Sequence, residues 1–90
     1  MIYAIKTTKS FRKKYGKVSE QKKFKAKIDS VIFQLAHAIP LERRYFIHPL
    51  QGEYQDCFEL HVRPNLLLIY RYEETTILLK AIGSHSELFD

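Results

Sequence analysis

The sequence predicts an α+β fold: a short N-terminal strand, a two-helix hairpin packed on one face of an antiparallel sheet, and a short C-terminal tail. Three observations carry this. Phe24, Ile28, Val31, Ile32, Leu35 and Ile39 recur at helical spacing and form one apolar stripe. Residues 58–82 read as three successive strands separated by tight turns, which implies a meander. One strand-like run precedes both. The order β-αα-βββ-tail is that of an α+β domain with its helices on one face. Residues 1–90 are read as a single domain, because a chain of this length builds one modest core.

Taken in order, Ile2 to Lys6 is the first strand. Thr7, Thr8 and Ser10 offer hydroxyl caps for a helix bearing Phe11, Tyr15 and Val18 on one face, with Gly16 weakening its last turn. Ser19 is expected to cap the second helix, with Glu20 and Gln21 in its first turn. That helix is expected to run through Ile39 and stop at Pro40, which has no N–H and disfavours helix in the residue before it. Residues 40–56 lack clean periodicity and contain Pro40, Pro49 and Gly52, so they read as a connecting loop. A loop this long in a small domain is more often functional than idle.

From Tyr54 the pattern becomes strand. Phe58, Leu60 and Val62 alternate with Cys57, Glu59, His61 and Arg63, predicting an apolar face and a polar one. Pro64-Asn65 is a turn, Leu66 to Tyr72 a central strand, Glu73-Glu74 a hairpin connection, and Thr75 to Ile82 a third strand ended by Gly83 and Ser84.

The net charge of +5 is unevenly spread. Residues 1–30 hold ten Lys or Arg against two acids, a balance of +8, and residues 31–90 hold five against eight, a balance of −3. A basic half suits a polyanion, an acidic partner protein or simply a solvated lysine face. One cysteine, Cys57, rules out an internal disulfide and fits a reducing compartment. No apolar run approaches the ~18 residues of a membrane span, and Ile2-Tyr3-Ala4-Ile5 reads as a strand rather than a signal peptide. A cytoplasmic protein without a membrane partner is expected.

Chemistry rests on histidine. His37 lies on the second helix, off its best stripe, and reads as a surface residue. His48 lies in the Pro-Gly loop, His61 on the polar face of a strand, and His85 in the tail. Each is as readily a plain surface residue. Together they suit phosphodiester chemistry, because an imidazole gives or takes a proton at neutral pH. Cys57 and the histidines lack the close ligand pairs of zinc motifs, so neither a metal nor another cofactor is expected. Phe89 is either an anchor for the tail or a stacking platform for a base.

Five segments in order carry a resemblance: Pro40-Leu41-Glu42-Arg43-Arg44-Tyr45, His48-Pro49-Leu50-Gln51-Gly52, Leu60-His61-Val62-Arg63-Pro64, Leu68-Ile69-Tyr70-Arg71 and Gly83-Ser84-His85-Ser86-Glu87-Leu88-Phe89. The chain resembles the YafQ branch of the RelE/ParE toxins, the toxin halves of type II toxin–antitoxin modules. The resemblance implies a RelE-like fold and a ribosome-dependent endoribonuclease, an mRNA interferase. Such a toxin cuts mRNA in the ribosomal A site, without a metal, by attack of the 2′-hydroxyl on the neighbouring phosphate. It implies His48, His61 and His85 as catalytic residues, His85 and His48 moving protons and His61 holding the phosphate. Phe89, Arg63, Arg71, Lys80 and Asn65 are the substrate-binding candidates. The implied partners are mRNA and a small antitoxin, with one toxin copy set in a larger complex. Three positions depart from the family pattern: Asn65 where Asp is usual, and Phe58 and Ala81 where Arg is common. All three remove charge, so retained antitoxin binding with reduced or altered cleavage is the alternative expectation.

Overall fold

The computed structural model describes residues 2–89. Strand β1 (Ala4–Thr7) leads into helices α1 (Lys9–Val18) and α2 (Lys22–Ala36). A 3-10 turn at Arg43–Tyr45, a two-residue strand β2 (His48–Pro49) and a second 3-10 turn at Gly52–Tyr54 follow. Strands β3 (Phe58–Arg63), β4 (Leu66–Tyr72) and β5 (Thr76–Gly83) and a short helix α3 (His85–Phe89) complete the order. The expected connecting loop at 40–56 therefore contains a two-residue strand between two tight turns, and the tail is a helix.

The sheet order is β1-β5-β4-β3-β2. The meander β3-β4-β5 is antiparallel as expected, and β2 pairs antiparallel with β3. β1 instead pairs parallel with β5, so the sheet is mixed rather than wholly antiparallel. A parallel pair needs a long crossover, and the intervening helices and strands supply it.

Thr8 caps α1, its Oγ1 accepting the Phe11 N–H at 3.0 Å while donating to the Lys80 carbonyl at 2.6 Å. Ser19 does not cap α2. It ends α1, its N–H donating to the Tyr15 carbonyl at 2.8 Å, because α1 runs on through Val18 to complete its apolar stripe. α2 ends at Ala36 and not at Ile39 as expected, stopped by the left-handed turn that follows and not by Pro40. Ala38 turns left-handed at φ 55°, its N–H reaching the Leu35 carbonyl and that of Ile39 reaching Gln34. This is a Schellman closure with alanine where glycine is usual.

On the helix side, Phe11, Ile28, Val31 and Leu35 meet Leu60, Val62, Leu68, Tyr70, Ile77 and Leu79. The opposite face is not the solvated polar face the alternation suggested. Cys57, Ile69 and Ala81 form a second cluster there, covered by Leu50 and Tyr54 of the loop and Leu88 of α3. Phe58, read as inward, stays 38% exposed.

Left-handed backbone costs an L-residue about 1–2 kcal/mol, part of which glycine returns as unfolded-state entropy. Ala38→Gly is therefore expected to stabilise the fold by up to about 1 kcal/mol, read as a higher urea midpoint with an unchanged slope.

Candidate active site

Directly opposed residues on neighbouring strands share a face. His48 stands opposite Glu59, Glu59 opposite Ile69 and Ile69 opposite Ala81. The next row is His61, Leu67 and Gly83. His48, Glu59 and His61 therefore share the sheet face that the helices leave open. Glu59 is only 5% exposed, and its Oε1 lies 3.1 Å from His48 Nε2 and 3.4 Å from His61 Nε2. The two rings are 6.5 Å apart. A buried carboxyl group needs polar company, and both imidazoles lie within ion-pair distance of the same oxygen.

Phe46 orients the first ring. It caps the 3-10 turn in left-handed backbone, φ 49° and ψ 53°, and its carbonyl lies 3.0 Å from His48 Nδ1. A proton on Nδ1 makes that contact attractive, which leaves Nε2 as the unprotonated nitrogen beside Glu59, free to take a proton. Holding a phenylalanine in this region costs about 1–3 kcal/mol.

His85 stands elsewhere on the same face. α3 starts just past Gly83, which lies two interstrand steps, about 10 Å, from the His61 position. His85 and Phe89 rings sit 5.1 Å apart, with Tyr54 edge-on to Phe89 at 5.7 Å. Leu88 is the tail residue packed on the Cys57 cluster, while Phe89 meets these two rings and stays 37% exposed. The structure brings His48 and His61 together and sets His85 and Phe89 apart as a second cluster.

Five residues are too few to hold a helix alone, so α3 depends on its caps and neighbours. Ser84 Oγ accepts the Glu87 N–H at 3.2 Å and Glu87 Oε1 accepts the Ser84 N–H at 2.8 Å, a reciprocal capping box. Asn65 Oδ1 accepts the His85 N–H at 3.2 Å. Glu87 Oε2 pairs with Lys14 of α1 at 2.5 Å. A Cβ at Gly83 would come within 3.0 Å of Glu87 Oε1, so glycine lets the helix fold back this closely.

The other candidates divide. A cavity of about 640 Å³ opens beside His48 and His61, and Arg63 lines it with its guanidinium 4.5 Å above the Phe24 ring. Arg71 is bound to Glu73 at 3.1 Å, one row beyond Ile69, and does not line that cavity. Lys80 is the extra residue of a β-bulge, since Ile69 pairs with Ala81 and Tyr70 with Leu79. Phe58 stacks with Tyr70, whose side chain lies on the helix side, so an arginine at position 58 would not face the histidines. Ala81 shares a row with Glu59, and that departure does fall on the site's own face. Sequence reading missed Glu59 and Phe46. Glu59 was findable from its parity with His61, whereas nothing in the sequence marks the left-handed turn at Phe46.

The fold is that of the small toxins of toxin–antitoxin pairs. A chain of the Escherichia coli DinJ–YafQ toxin–antitoxin complex superposes with TM-score 0.86 at 25% identity, covering all of both chains. A metal-bound toxin from Helicobacter pylori gives TM-score 0.87 at 37% identity, covering 99% of this chain and all of that one. The mRNA interferase toxin YafQ of Escherichia coli K12 is 34% identical over 53 residues, which span 59% of this chain and 58% of that relative. Residues 3–90 match the family described as bacterial toxin of type II toxin–antitoxin system, YafQ, and the chain belongs to that family. Among the described residues no group of three or more His, Cys, Asp or Glu is arranged to hold a metal ion. No described helix is long and apolar enough to cross a membrane.

Hydrogen bonding from Lys14, then from the Ser84 backbone, lowers the Glu87 carboxyl from 4.5 to about 2. A depressed carboxyl stabilises the fold above its unfolded value and stops doing so as pH falls through its folded one. Docking of α3 is therefore expected to weaken progressively from about pH 4.5 down to about pH 2. Hydrogen exchange at the Leu88 amide, which donates to the Ser84 carbonyl, reads this, and Glu87→Gln should flatten the response. The effect is modest because the carboxylate is half exposed.

Proposed function

We propose that this chain is the toxin of a type II toxin–antitoxin module and acts in the cytoplasm as a ribosome-dependent endoribonuclease on mRNA. The reading is carried by His48 and His61 sharing buried Glu59 beside a cation-lined cavity. The likeness to a chain of the DinJ–YafQ complex supports an antitoxin partner. The name of the Escherichia coli relative supports mRNA as substrate.

In the proposed reaction His48 takes the 2′-hydroxyl proton, with Glu59 holding the resulting charge. The 2′ oxygen bonds to phosphorus while His61 and Arg63 face the phosphate. The bond to the 5′ oxygen breaks, and His85 protonates that oxygen. The products are a cyclic 2′,3′-phosphate and a 5′-hydroxyl. No metal enters these steps.

Primer extension on a message translated in vitro tests this. The purified protein should produce ribosome-dependent cuts, and His48→Ala, His61→Ala or His85→Ala should each slow them by about 10²–10⁴. Cuts that persist undiminished in all three variants would remove the histidines from the mechanism. A second reading, binding without efficient cleavage, is favoured by Asn65, which meets the His85 N–H with a neutral amide where a carboxylate is usual. On that reading Asn65→Asp raises the cleavage rate in the same assay.

A further inference from the structure

The ring expected to stack on a base was Phe89, which sits with Tyr54 and His85 in the other cluster. A different ring is better placed. Phe46 is 66% exposed, lies at the cavity beside the two histidines, and sits edge-on to His61 with centroids 5.7 Å apart. A large aromatic left that open, in backbone a phenylalanine rarely adopts, packs on no ring but His61 among the described residues.

The cations around it are prepared for an anion. The Arg63 guanidinium is held against the Phe24 face and, among the described residues, meets no carboxylate. Arg44 lies 5.0 Å from the Tyr45 ring centroid and donates to the Tyr45 hydroxyl at 3.2 Å, its one carboxylate contact a loose 3.4 Å to exposed Glu42. Lys27 completes the basic wall from α2. Guanidinium groups positioned by aromatic faces keep their charge available for phosphate. An open aromatic with positive charge around it is the pattern of a single-strand nucleic-acid subsite.

We propose that this cavity is a nucleotide subsite in which Phe46 stacks on the base next to the scissile linkage and Arg44, Arg63 and Lys27 bind its phosphates. The assignment rests on the ribonuclease reading and makes Phe46 a determinant of which base is accepted there. Its backbone carbonyl orients His48, while its ring reads the substrate.

Phe46→Gly separates the two roles, since glycine keeps the carbonyl and suits the left-handed turn. The probe is a labelled tetraribonucleotide with 2′-O-methyl groups, which cannot be cut, followed by fluorescence anisotropy. Phe46→Gly and Phe46→Ala should weaken binding about tenfold or more, while Phe46→Tyr and Phe46→Trp restore it. Arg63→Ala and Arg44→Ala should weaken it and shallow its salt dependence. In primer extension Phe46→Gly should alter which positions are cut. Unchanged affinity and an unchanged cut pattern in Phe46→Gly would overturn the assignment while leaving the ribonuclease reading intact. Loss of oligonucleotide binding in Phe46→Gly, with no cutting by the unaltered protein, would keep the subsite and reject the ribonuclease reading. Unaltered RNA binding alongside weakened capture of the antitoxin would overturn the subsite in favour of a peptide contact.

Discussion

A single buried carboxylate organises the open face of this sheet. Glu59 is almost without solvent, and two imidazoles lie against one of its oxygens. That contact explains why a strand of only two residues exists at all, because pairing β2 with β3 is what sets His48 over Glu59. It also explains the left-handed turn just before β2, which brings the Phe46 carbonyl to the far nitrogen of the same ring. Backbone strain at that turn is offset by the packed residue beneath it, since Tyr45 is buried in the helix-side core.

The second half of the site depends on a different device. α3 is held by side chains from three parts of the chain: Ser84 just before it and Glu87 within it, Asn65 from the β3–β4 turn and Lys14 from α1. The sheet fixes its distance from the first half, because His61 and Gly83 occupy one row across three strands. The geometry is thus a rigid platform with a clipped-on helix, and the two clusters of rings flank the space between.

Much of the fold was legible because it follows from period. The stripe from Phe24 to Leu35 and the run from Leu66 to Tyr72 are local patterns, and both lie where expected. The family was legible from short ordered motifs. What sequence could not supply depends on distant partners. Ser19 looks like a cap but closes the preceding helix, and β1 runs parallel only because β5 lies beside it. Cys57 and Glu59 alternate as if facing water, yet Leu50, Tyr54 and Leu88 cover that side. The missing charges at positions 58 and 81 looked equivalent, and only strand parity separates the irrelevant one from the other.

The parallel ladder has a kinetic corollary. Ala4 meets Thr76 and Thr7 meets Leu79, so this ladder closes a loop of roughly seventy residues, whereas the β3–β4 and β4–β5 hairpins close almost at once. Contacts that distant form late, after the meander is in place. The first strand, exposed along most of its length, is thus the last to zip on and the easiest to peel away.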